Sequence, residues 1–122
     1  MKDDILLSEL LDNSMELWEK HKDEWSPMEP KYGKTFLLYM IGEIGEVIDI
    51  IKKKDLNDIC ENKIVRENFI EELVDVLMYY ADILNRFGID KEEFVEVYRK
   101  KHYKNLNRNY KTEYTEFLQS EK

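Results

Sequence analysis

Apolar positions recur at helical spacing along most of the chain, with little to interrupt them. Over residues 4–23, Leu7, Leu11 and Trp18 share one face with Leu10, Met15 and Leu17 beside it, which predicts a first helix. Trp25-Ser26-Pro27-Met28-Glu29-Pro30 breaks the period with two prolines and reads as a loop. Over residues 31–54, Leu37, Met40, Ile41, Ile44, Val47, Ile48 and Ile51 form a continuous stripe. That stripe predicts a second helix facing the core, with Lys52, Lys53 and Lys54 complementing its C-terminal dipole. Residues 55–62 read as a polar loop. Over 63–87, Ile70, Leu73, Val74, Leu77, Ala81 and Leu84 mark a third helix and its core face, with Gly88 as the residue that ends it. Asp90 and Glu93 have capping-box spacing and open a fourth helix that reaches at least Leu106. Tyr110, Tyr114 and Phe117 keep the spacing, so residues 109–122 are expected to add a turn or two, or to form an arm reaching a partner chain. Long helices with short connections predict an all-α fold, a four-helix bundle in one domain over 1–122.

Composition supports this. A chain of 122 residues is one domain long, and 43% hydrophobic residues suffice for a core. Four Gly and two Pro are too few for a fold of many β-turns. The net charge of −8 argues against nucleic acid as a partner of the surface as a whole. No membrane association is expected: the acidic start lacks the pattern of a signal peptide, and no apolar run approaches the ~18 residues of a membrane span. Cys60 has no second cysteine to pair with and fits a reducing cytoplasm, the expected location.

Two carboxylate pairs change the picture. Glu43 and Glu46 lie three apart in the second predicted helix, Glu72 and Asp75 three apart in the third, so each pair projects in one direction. On a wheel at ~100° per residue the first pair sits roughly 130° from the centre of the apolar stripe. The second lies nearly opposite its own stripe. Phe36, Tyr39 and Ile50 share the first acidic face, while Tyr79 and Asp82 share the second. A solvated face would interleave basic residues; these carry aromatic and aliphatic ones. Two carboxylates ~6 Å apart repel by about 3 kcal/mol at an effective dielectric of 20, against under ~1 kcal/mol in water. In a cavity such a cluster needs protons or a hard divalent cation, and an all-oxygen set suits Mg²⁺ or Mn²⁺. One such pair alone is more often a solvated face.

The fourth helix adds basic residues. Its stripe of Phe94, Val97 and Tyr98 continues into Lys101, Asn105 and Arg108, with Lys104 at the edge. Those groups are suited either to phosphate or to pairing with nearby acids.

Gly42-Glu43-Ile44-Gly45-Glu46-Val47 followed by Glu71-Glu72-Leu73-Val74-Asp75-Val76-Leu77 resembles the Glu-x-x-Glu…Glu-x-x-Asp signature of the all-α NTP pyrophosphatases, the MazG-like superfamily. These include MazG, the dimeric dUTPases, the dCTP pyrophosphatases and phosphoribosyl-ATP pyrophosphohydrolase. The resemblance covers roughly residues 31–108, and Lys104-Asn105-Leu106-Asn107-Arg108 is similar to the superfamily's basic segment. It implies that Glu43, Glu46, Glu72 and Asp75 ligate Mg²⁺. It further implies hydrolysis of a nucleoside triphosphate to monophosphate and pyrophosphate, with Tyr79 in the nucleotide pocket. Lys101, Lys104, Asn105 and Arg108 would then meet phosphate or sugar. A homodimer or homotetramer, with the site roofed by a neighbouring chain, is implied as well. Gly42 departs from the pattern, since many members carry a further Glu there.

Glu46 is the choice for orienting the attacking water, and Trp18, Trp25 or Phe36 are candidates to stack on the base. A di-iron bundle would need Glu-x-x-His motifs, yet Trp18 and Arg99 stand three residues before His21 and His102. The remaining alternative is a non-catalytic helical interaction module of the same fold.

Overall fold

The computed structural model describes residues 3–120. It contains α1 (Leu7–His21), a 3₁₀ turn (Pro30–Tyr32), α2 (Gly33–Lys53), α3 (Leu56–Glu61), α4 (Lys63–Arg86), α5 (Lys91–Leu106) and α6 (Tyr110–Ser120). No strand occurs among the described residues, and none of their helices is long and apolar enough to cross a membrane. The all-α expectation holds. The four expected helices are present, with α3 and α6 added.

Local chemistry explains where the boundaries moved. Leu6 is extended, so α1 starts at Leu7 rather than near Asp4. Pro30 opens a single 3₁₀ turn before α2, which therefore begins at Gly33 rather than Lys31. The stretch read as a polar loop folds into α3 because Asp55 caps it, accepting a hydrogen bond from the Asn57 N–H at 2.7 Å. Asn62 then caps α4 by accepting from the Ile64 and Val65 N–H groups at 3.1 and 3.2 Å. At the far end Gly88 takes φ +67°, as expected of it. The Gly88 N–H bonds the Asn85 carbonyl at 3.0 Å and the Ile89 N–H the Leu84 carbonyl at 2.9 Å, a Schellman ending.

The chain divides into two compact units, Met1–Lys91 and Glu92–Lys122. In the first unit α2 packs along α4, with α1 and α3 against α4 as well. The start of α2 meets the end of α4: the Phe87 ring occupies the space that a Cβ at Gly33 would need. Phe36 lies under Arg86, so the two helices run antiparallel. Leu11, Phe36, Val47, Ile59, Ala81, Ile83 and Leu84 are buried, and Asn85 donates across to the Leu11 carbonyl at 3.0 Å.

One expectation is inverted. Of the stripe assigned to the core on α2, only Val47 is buried and Met40 half-buried; Leu37, Ile41, Ile44, Ile48 and Ile51 are exposed, Ile41 at 59%. On α4, Ile70, Leu73, Val74 and Leu77 are exposed, while Ala81 and Leu84 are buried. The two helices meet through their acidic and aromatic faces. Each helix offers two faces able to pack, well over a right angle apart, and only one can meet the neighbouring helix.

The second unit holds α5 from Glu92 onward and α6. At 11 residues α6 exceeds the turn or two expected. Its Tyr110, Tyr114 and Phe117 are exposed, and the Asn109 side chain caps it by accepting from the Thr112 N–H at 2.9 Å.

Candidate metal centre

Residues three apart on one helix face converge with their counterparts when two such faces pack. Carboxylate oxygens of Glu43 and Glu46 from α2 and Glu72 from α4 lie within 4.8 Å of one another. Glu43 and Glu72 are half-buried and Glu46 is exposed. One oxygen of Glu43 and one of Glu72, both Oε2, are buried with no hydrogen-bond partner. Asp75 is half-buried and stands outside the set of three, yet its charge acts on both Glu43 and Glu72. Three of the four expected ligands thus come together directly, and the fourth lies close enough to be felt.

The electrostatics follow from that crowding. A carboxyl–carboxyl hydrogen bond with Glu46 pushes Glu72 up to about 7, with burial and the charges of Glu46, Asp75 and Glu43 adding to it. Glu43 is also raised, first by burial and then by the charges of Glu46 and Asp75. A cluster of carboxylates whose pKa values are raised by one another and by burial, with two orphaned buried oxygens, has the donor chemistry of a hard divalent ion site. The three converging carboxylates, Glu43, Glu46 and Glu72, fit such an ion.

An aromatic cluster adjoins the carboxylates. Phe36, Tyr39 and Tyr79 have ring centroids 5.3, 6.2 and 6.1 Å apart in pairs. Tyr39 lies one turn before Glu43 and Tyr79 one turn after Asp75. Burial raises the Tyr79 phenol pKa, and Glu43 and Asp75 raise it further. Trp18 and Trp25 serve elsewhere: the Trp18 indole donates to the Ser26 carbonyl at 2.9 Å, and Trp25 stacks on His21 at 4.9 Å. Of the three candidate stacking aromatics, only Phe36 belongs to this cluster.

Sequence reasoning missed Arg86. Its guanidinium is buried, pairs with Asp82 and lies 3.6 Å from the centre of the Phe36 ring. The available signal was the four-residue spacing from Asp82 to Arg86, one turn of helix carrying opposite charges.

In the second unit Lys101 and Lys104 are exposed, and Asn105 and Arg108 are half-buried. Arg108 is already engaged. It donates to Glu113 at 2.8 Å and to Asn105 at 3.4 Å, and it lies over the Tyr110 ring at 4.5 Å.

Residues 32–108 match the model of the MazG nucleotide pyrophosphohydrolase domain. No curated protein and no solved structure matched the chain.

Proposed function

The chain belongs to the MazG nucleotide pyrophosphohydrolase family, and from that premise we propose that it hydrolyses a nucleoside triphosphate to the monophosphate and pyrophosphate in a Mg²⁺-dependent reaction. The observation that carries this reading is the convergence of Glu43, Glu46 and Glu72 with two buried, unpartnered oxygens. Those three residues, with Asp75, would hold Mg²⁺, with Mn²⁺ as a chemically similar substitute. The ion supplies neutralisation of charge on the phosphates and the leaving pyrophosphate. Glu46, the exposed member, is the carboxylate assigned to orient the attacking water. Tyr79 is assigned to the nucleotide pocket. Lys101, Lys104, Asn105 and Arg108 are assigned to phosphate and sugar, for which Arg108 must share or leave Glu113.

The reading includes a partner, a second copy of the chain. Exposed Leu37, Ile41, Ile44, Ile48 and Ile51 alternate spacings of four and three, the seam of a packed helix pair. Ile70, Leu73 and Leu77 on α4 follow the same rhythm. So large an aliphatic face is costly in water, and a two-fold axis would bury it against its own copy. Dimerisation through this stripe buries it; a tetramer adds a second contact. The acidic faces already pack α2 against α4 within one chain. Location in the cytoplasm and independence from nucleic acid complete the proposal.

The test is a screen of the eight common ribo- and deoxyribonucleoside triphosphates for pyrophosphate release, with and without Mg²⁺ or Mn²⁺. Release from at least one nucleotide, abolished by chelation, is expected. Absence of release from all of them, together with heat-silent Mg²⁺ titration, would instead favour a non-catalytic interaction module built on the exposed stripe.

A further inference from the structure

Arg86 is 1% exposed, and a guanidinium in that setting must have its donors satisfied. Here its contacts are divided among three parts of the fold. Nε donates to Asp82 Oδ1 at 2.5 Å and Nη2 to Asp82 Oδ2 at 3.3 Å, both within α4. Nη1 donates to the Pro27 carbonyl at 2.6 Å and, more weakly, to the Ser26 carbonyl at 3.5 Å, both in the loop between α1 and α2. The plane of the group lies on the ring of Phe36 in α2, 3.6 Å from its centre. A single side chain therefore fixes the loop, α4 and α2 to one another.

Phe36 transmits this constraint. Backed by the guanidinium, its ring borders both Tyr39 and Tyr79, and each tyrosine is one turn from a carboxylate of the candidate metal centre. Tyr39 is half exposed, so the cluster offers ring surface beside the carboxylates. Asp82, two turns beyond Asp75 on the same face of α4, is paired with Arg86.

We propose that Arg86 is a positioning residue for nucleotide binding: by clamping Phe36 it sets the Tyr39 and Tyr79 rings on which the nucleobase rests. This rests on the pyrophosphohydrolase reading. A lysine at this position keeps the charge opposite Asp82. It lacks the plane that covers Phe36 and the fork that reaches Asp82 and the Pro27 carbonyl together.

The experiment compares the full-length wild type with Arg86→Lys and with the paired variant Asp82→Leu/Arg86→Met. The pair removes both charges at once and leaves no buried ion unpartnered, an exchange that is often neutral for stability. Three readouts are taken: KM and kcat on the best nucleotide of the screen, calorimetric affinity for Mg²⁺ alone, and fluorine NMR of fluorotyrosine-labelled chains. Tyr39 and Tyr79 resonances are assigned by Tyr→Phe substitution. In both variants KM is expected to rise about tenfold, the scale of lost base stacking, with kcat and Mg²⁺ affinity each within about threefold of wild type. The Tyr39 and Tyr79 resonances should shift or broaden. A folded variant with wild-type KM and unmoved resonances overturns the proposal. So does failure of both variants to fold, which would assign Arg86 to stability alone. A wild type that releases no pyrophosphate defeats the function reading instead, and the tyrosine resonances then still decide whether Arg86 positions the rings.

Discussion

Glu72 carries the strongest electrostatic signature of the cluster. Its carboxyl is pushed from the ordinary 4.5 to about 7, first by the hydrogen bond with Glu46. The folded, metal-free chain therefore holds a proton that the unfolded chain has released above 4.5. Stability from this group is fully present below that value and is lost as pH rises through about 7. Thermal melts in a chelator should show the metal-free protein weakening over this window, and Glu72→Gln should flatten the trend. Mg²⁺ must displace the same proton, so the stabilisation it confers should grow as pH rises through the window. A metal-induced Tm increase independent of pH would contradict the assignment. Glu43→Gln, Glu46→Gln, Glu72→Gln and Asp75→Asn should each lower pyrophosphate release by orders of magnitude while leaving the metal-free Tm equal or raised, because each removes like charge. Near-full activity in Glu72→Gln would remove it from the site. These carboxylates were legible in the sequence, since two acids three apart on a helix point the same way wherever the helix packs. Arg86 was not, because nothing in the four-residue spacing from Asp82 reveals that the pair is buried.

At the scale of elements, capping residues decided the boundaries that periodicity left vague. Asn62 satisfies two N–H groups at the start of α4. Asn62→Ala should therefore lower stability by about 1 kcal/mol in denaturant melts, with little change in the urea m-value. Gly88 sits at φ +67° with open space around its Cβ position, so Gly88→Ala adds backbone strain without a clash. Its expected cost is about 1–2 kcal/mol by the same measurement. A loss no larger than that of a neutral surface substitution would show that the Schellman ending is dispensable. The long helices were legible because 3.6-residue periodicity runs through them. The short α3 was not, since its six residues span under two turns and the signal rested on Asp55 alone.

For the whole molecule, the exposed aliphatic stripe of α2 and α4 makes the sharpest demand. One chain has a mass of 14.9 kDa, so light scattering at micromolar concentration should report at least twice that. Ile44→Lys, at the middle of the stripe, should shift the population toward monomer by placing a charge in a dry interface. A monomeric wild type, or a variant that assembles unchanged, would refute this interface while leaving the carboxylate chemistry untouched. What the sequence determined alone is everything that follows from position along one helix: that the chain is helical, which residues share a face, and that each acidic pair points one way. Only the tertiary structure decided which face each helix turns to its neighbour. A helical wheel fixes angles within a helix and is silent on the partner, whereas that choice depends on the summed contacts of two surfaces. Here Phe36, Val47 and Arg86 are buried, and the long aliphatic seam is left outside.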